Sequence, residues 1–269
     1  MPLPLFIVDA FTDRPFAGNP AAVCLLPAGS EKANDANWMQ QVAREMNLSE
    51  TAYVTPRAEG DFDLRWFTPA VEVDLCGHAT LATAHVLWEA VATSKNAGSI
   101  RFHTRSGVLG ATRTVGRITL DFPARIAEPA LLPAGLEGLL PHRPLSVARF
   151  RDDVIVELAR EEEVRGFTVD FAALAKVDLR ALLVTARATT APYDFVSRFF
   201  APRVGVNEDP VTGSAHCLLT PLWSARLGKK DLTAYQASPR GGVIHVGLSE
   251  GRVTLGGAAV TVLRGELTV

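Results

Sequence analysis

Two glycine turns, each opening onto an apolar run, hold most of the side chains in this sequence that could do chemistry. The first runs Asp74, Leu75, Cys76, Gly77, His78, and the second runs Asp209, Pro210, Val211, Thr212, Gly213, Ser214. A glycine turn that starts a helix aims several backbone N–H groups and the positive end of the helix dipole at one spot. A carboxylate or a developing enolate is the natural guest of such a spot. Alone, a glycine turn is most often only a tight helix start; the repetition at equivalent places is what makes these two informative. His78, in the first helical turn, could donate to an oxyanion or relay a proton, and the dipole there favours its neutral form. Taken by itself such a residue is more often a packed, hydrogen-bonded core histidine. Asp209 is placed either to cap the second helix or to orient a substrate amine or hydroxyl. Cys76 and His78 lack a second pair of ligands at a usable spacing, so no metal site is expected. Glu50 is one of 29 acidic residues, and only its place after a helix distinguishes it locally.

The elements that must position these residues are mostly β. Leu5–Val8, Ala21–Leu26, Leu64–Phe67, Arg117–Phe122, Val154–Leu158 and Ala181–Val184 read as strands with a few helices between them, an α+β class. From Asp35 to Met46, the residues Trp38, Val42 and Met46 recur at four-residue steps and give a helix one apolar face. That helix delivers the chain to Leu48, Ser49, Glu50, Thr51, where a strand begins. The segments Ala79 to Val91 and Ser214 to Leu227 are apolar or small on most faces, as in helices wrapped by a curled sheet. Pro221 predicts a bend in the second of them, and Gly228 with Lys229 its end.

A near-repeat organises the whole chain. Arg65 to Pro69 reads RWFTP, and RFFAP follows 133 residues later, from Arg198 to Pro202. Gly77 and Gly213 are 136 residues apart, so the second copy carries three more residues before its turn. Two pseudo-symmetric domains follow, residues 1–124 and 125–269, with Pro123 to Gly138 as the crossing between them. Whether the last strand, Ala259 to Val269, returns to the first domain is left open. If the halves face each other across a cleft, the two helix starts converge on one ligand.

Composition narrows the partners. The 269 residues are 48% hydrophobic and 21% charged, with a formal charge of −2. That is ample for two packed cores, and it provides no basic field for nucleic acid or an anionic membrane. No apolar stretch of membrane-spanning length occurs, and the three cysteines, Cys24, Cys76 and Cys217, suit a reducing compartment. A cytoplasmic protein is expected. No GxGxxG after a strand, P-loop or metal cluster is present, so no cofactor is expected.

Five segments bring a family into view: DAFTDRPFAGNPAAV (Asp9 to Val23), LSETAYV (Leu48 to Val54), DLCGHATLATAH (Asp74 to His85), EDPVTGSAHC (Glu208 to Cys217) and QASPRGG (Gln236 to Gly242). In this order they resemble the PhzF-like phenazine-biosynthesis family along nearly the whole chain. The resemblance implies a diaminopimelate-epimerase-like fold, two pseudo-symmetric domains each with a mixed sheet curled around a central helix, and an active site between them. It implies that Glu50 shuttles a proton on a small carboxylic acid such as dihydrohydroxyanthranilate, with a pKa lifted by burial. His78 and Asp209 are then further catalytic residues, Gly77, Gly213 and Ser214 bind substrate, and Asn19 supports or contacts it. The resemblance also implies a homodimer. Two-thiol epimerases of this fold hold one cysteine at each turn, whereas here Cys217 lies a helical turn beyond the second. That disfavours a two-thiol mechanism and leaves Cys76 as an auxiliary group or as a small buried residue behind its turn. Two alternatives stand beside the isomerase: amino-acid epimerisation by Cys76 with Glu50 as its partner, and a binding or regulatory protein with vestigial catalysis.

Overall fold

The computed structural model describes residues 2–57, 60–91, 94 and 97–269. The chain divides into two units: residues up to Phe122 together with Leu255–Val269, and Pro123–Thr254.

In the first unit, β1 (Leu3–Ala10) pairs antiparallel with β2 (Asn19–Leu25) and with the C-terminal strand Ala259–Leu267. The last residues of the chain therefore belong with its first. A crossover through α1 (Ala36–Met46) makes β2 parallel to β3 (Glu50–Pro56), which pairs antiparallel with β4 (Phe62–Phe67). β4 meets the short β5 (Glu72–Val73) on the way to α2 (Gly77–Ala90), and after that helix β6 (Ser99–Thr104) lies parallel to β4. β7 (Gly107–Thr114) and β8 (Arg117–Pro123) complete the ladder antiparallel. Period-two burial marks the sheet's inner face: in β8, Ile118, Leu120 and Phe122 are buried between more exposed neighbours.

α1 starts where Asp35 accepts the Trp38 N–H at 2.9 Å, and it ends at Asn47 in left-handed conformation. Its buried face consists of Met39, Val42 and Ala43. The four-residue series Trp38, Val42, Met46 placed that face slightly off centre, because Trp38 and Met46 pack only at the margins of the core. α2 is buried around most of its circumference and packs on β1, β2, β3 and the C-terminal strand.

The second unit repeats this succession. β9 (Glu128–Pro129), β10 (Ser146–Phe150) and β11 (Asp153–Glu157) pair antiparallel. A crossover through α3 (Glu161–Arg165) and α4 (Phe171–Leu174) makes β12 (Ala181–Arg187) parallel to β11. β13 (Phe195–Phe200) follows antiparallel and leads through the second glycine turn into α5 (Gly213–Leu227). β14 (Asp231–Gln236) then runs parallel to β13, and β15 (Gly242–Ser249) antiparallel to β14. Residues 123–138, expected as a crossing, lie wholly in this unit, and Leu136 is in its core. Pro221 has no N–H for the Cys217 carbonyl four residues back; the Arg125 N–H takes that carbonyl instead at 3.0 Å, and α5 continues to Gly228 at φ 65°.

The repeated arginines explain the repeat physically. Arg65 binds Glu72 through two parallel bonds of 2.7 and 2.9 Å, and Arg198 binds Glu208 through bonds of 2.7 and 2.8 Å. Each guanidinium also lies over a phenylalanine two residues on, Phe67 or Phe200, and donates to a carbonyl of a preceding segment, Ala33 or Phe167. The fork ties each strand to the segment leading into its glycine turn. The pairs span seven and ten residues. The three extra residues are taken up within the second loop, where Pro202–Val204 forms a 3₁₀ turn. Among the described residues no helix is long and apolar enough to cross a membrane.

Candidate active site

Glu50 is the first residue of β3, beside Ala21 of β2 in the parallel register. β2 begins at Asn19, and α2 packs on both strands. This topology, not any local motif, brings Asn19, Glu50, Cys76 and His78 together. The Asn19 side-chain amide donates to His78 Nδ1 at 3.2 Å. With Nδ1 accepting, the neutral ring carries its proton on Nε2. That nitrogen faces Glu50 Oε2 at 3.2 Å, at ion-pair distance although not aligned as a hydrogen bond. His78 is 4% exposed and the Glu50 side chain 18%, so the carboxylate is the member of the pair that a substrate can reach. Burial holds the imidazole at a pKa of about 3. Desolvation of the buried ring is the cause of this shift.

Cys76 stands at the N-cap of α2, whose start is capped by no side chain, and Gly77 is the first residue of the helix. Its Sγ lies 3.6 Å from His78 Nδ1. Glu50, Cys76 and His78 each present a ligand atom within 4.8 Å of one another. Spacing could not reveal this triple, because the glutamate arrives from another element. A cation there would need His78 to shift its proton, since Asn19 holds Nδ1 and the proton occupies Nε2.

In the second unit, α5 starts at the buried Gly213, with Ser214 next and Thr212 as N-cap. The N-cap position itself is Thr212, and Asp209 stands three residues before it. Its carboxylate accepts the Thr212 hydroxyl at 2.5 Å, and its N–H donates to the Phe199 carbonyl at 3.1 Å. Gln236, fully buried at the end of β14, fastens the turn from behind. It donates to the Asp209 carbonyl at 2.7 Å and accepts the Thr212 N–H at 2.8 Å. Ser238 adds a bond to the Pro210 carbonyl at 2.8 Å. Sequence reasoning assigned Gln236 no role; its one signal was its place in the QASPRGG segment. Burial pushes the Cys217 thiol up to about 12 and the Cys24 thiol likewise, so both stay protonated at neutral pH.

His216, in the second turn of α5, donates from Nδ1 to the Thr212 carbonyl at 2.8 Å, and burial holds its pKa down at about 4 against the weaker opposing effect of that bond. Two buried neutral histidines fix the sign of the acid response. Their folded values lie below the ordinary 6.5, so the unfolded chain binds more protons below that pH. Stability is then full above pH 6.5 and is lost as pH falls toward 4 and 3. At about 1.4 kcal/mol per unit, each histidine costs about 2 kcal/mol at pH 5. Urea unfolding at pH 7.5 and 5 is expected to show the drop, with about half of it absent in His216→Gln; equal midpoints at the two pH values would contradict it.

Residues 8–265 match the phenazine biosynthesis-like protein family, PhzC-PhzF. An uncharacterized isomerase of Halalkalibacterium halodurans is 50% identical over 99% of both chains. The crystal structure of a PhzF-family phenazine biosynthesis protein from Enterococcus faecalis superposes with a TM-score of 0.92 at 42% identity, covering all of both chains. A predicted epimerase of Pseudomonas aeruginosa, 21% identical and covering 99% of both chains, shares the fold with a TM-score of 0.71. With two units of one strand and helix succession and relatives named isomerases along its full length, this chain belongs to the phenazine biosynthesis-like family, with a diaminopimelate-epimerase-like fold and an activity of the isomerase class.

Proposed function

We propose that the protein is a cofactor-independent isomerase that moves a proton on a small unsaturated or amino carboxylic acid, with Glu50 as its single acid/base. The observation that carries this reading is the partly exposed Glu50 carboxylate set 3.2 Å from the N–H of a neutral, buried His78. A carbon acid flanked by an unsaturated or carbonyl system gives its proton to Glu50, and the electron pair moves into the conjugated system. Protonated Glu50 then delivers the proton to another carbon, so bonds and charge balance without an oxidant or a metal. The His78 N–H and the backbone N–H groups at Gly77 stabilise the charge that develops meanwhile. Asp209, Gly213 and Ser214 are the substrate-orienting residues of the second unit, Asp209 accepting from an amine or hydroxyl and the α5 start receiving an anion. The same reading makes the enzyme a cytoplasmic homodimer with neither nucleic-acid nor membrane partners, in keeping with its charge of −2.

The proximity of Cys76 favours one competing reading, epimerisation with the thiol as acid/base. Cys76→Ser separates the two. We expect this variant to keep its rate within about threefold, since the thiol packs behind the turn, whereas loss of a true acid/base costs about 10²-fold or more. Turnover and deuterium incorporation by Cys76→Ser over a panel of carboxylic acids read the difference, and a hundredfold loss would make the thiol a reacting group.

A further inference from the structure

A threonine at the N-cap ordinarily turns its hydroxyl back to accept an N–H of the helix's first turn. Thr212, the N-cap of α5, makes no such bond. Its hydroxyl donates to the Asp209 carboxylate at 2.5 Å instead. Gln236 sets that direction. Its side-chain N–H groups donate to the Thr212 hydroxyl at 3.2 Å and to the Asp209 carbonyl at 2.7 Å, and its side-chain oxygen accepts the Thr212 N–H at 2.8 Å. A hydroxyl that accepts from the amide offers its own proton onward, so the series amide, hydroxyl, carboxylate runs in one sense only.

Gln236 comes from the end of β14, 24 residues beyond Thr212, and is fully buried. A buried amide destabilises the fold unless its polar atoms are matched, and here both nitrogen and oxygen are given to this one turn. Filling the core would need only an apolar residue of that size.

The first glycine turn shows the same framework without the amide. There Ser106, just after β6, donates to the Asp74 carbonyl, and the N-cap is Cys76. The Asp74 side chain is 76% exposed, with Arg105 at 4.0 Å. One aspartate thus stands in solvent ahead of its helix, whereas Asp209 is half-buried and tied to the N-cap.

We propose that Gln236 is a positioning residue of the reaction, which acts through the Thr212 hydroxyl to fix the Asp209 carboxylate for the amine or hydroxyl of the substrate. This deepens the isomerase reading above and rests on it. Gln236 lies behind the turn and reaches the substrate only through Asp209. Displacing an orienting group by about 1 Å costs on the order of 10²-fold in rate, and the amide prevents that displacement.

The test is a mutant cycle read as kcat and KM for deuterium exchange in D₂O, with 2-aminobut-3-enoate and but-3-enoate as paired probes. Both have an activated proton at C2, and only the first has an amine for Asp209. We expect Gln236→Met and Thr212→Val each to lower kcat/KM for the amino acid at least about tenfold and for but-3-enoate less than about twofold. Thr212→Ser, which restores the hydroxyl, should recover most of the loss seen in Thr212→Val. Added to Asp209→Asn, Gln236→Met should cost less than about threefold more, because its route to the substrate is already cut. Circular dichroism confirms that each variant is folded, and the Thr212 pair gives the same reading if Gln236→Met does not fold. Equal losses for the two probes, losses that multiply in the Asp209→Asn background, a Thr212→Val with the wild-type preference, or no exchange of either probe by wild type would overturn the proposal. Failure of the isomerase reading looks different: exchange surviving in Glu50→Gln while the selective loss in Gln236→Met persists.

Discussion

Glu50→Gln is expected to lower the rate of substrate deuterium exchange and isomerisation by about 10³-fold, within the range for loss of a general acid/base. The amide keeps the shape of the side chain and an oxygen for the His78 N–H, so binding of the acid should change little and urea stability should stay within about 0.5 kcal/mol. The loss therefore falls on kcat, not KM. Glu50→Asp is the informative companion. Its carboxylate is one methylene short of a reacting position, a displacement that costs on the order of 10²-fold. Steady-state kinetics of the three proteins check the order, wild type above Asp above Gln. A Gln variant as fast as wild type would move the base elsewhere.

Arg198→Ala is expected to destabilise the protein by about 3 kcal/mol or more. The side chains of Arg198 and Glu208 are 11% and 13% exposed and share two short bonds. Removing the guanidinium leaves the largely buried Glu208 without its fork and frees the Phe167 carbonyl as well. Because Glu208 adjoins Asp209, the loop that carries the second turn is loosened along with the core. Denaturant titration reads the loss. Replacing both partners by apolar residues should recover much of it, because the desolvated charge then disappears too. A single mutant as stable as wild type would mean the pair contributes nothing.

The same pair shows how far the sequence could be read. RWFTP and RFFAP announced two equivalent units, and the three-residue difference in spacing reappears as the difference between the two Arg–Glu loops. Local signals served wherever a few neighbouring residues decide the outcome: Asp35 at the start of α1, Gly77 and Gly213 opening helices, Gly228 closing one. They failed where distant segments decide it. Glu50 meets His78 because β2 and β3 pair in parallel at a particular register. Gln236 fastens Asp209 and Thr212 from 27 and 24 residues away. The C-terminal strand joins β1 through a ladder that spans the whole chain. A helix cap is written in four residues, whereas a register is set by the sum of many weak contacts.

The central claim is that one carboxylate, Glu50, carries the proton. Its most direct test is mass spectrometry and NMR of cyclic and linear unsaturated acids and amino acids incubated in D₂O with wild type, Glu50→Gln and Cys76→Ser in parallel. The account predicts deuterium entering on one face of the substrate with wild type and Cys76→Ser, and none with Glu50→Gln. Deuterium that persists with Glu50→Gln and vanishes with Cys76→Ser would contradict it and give the proton to the thiol.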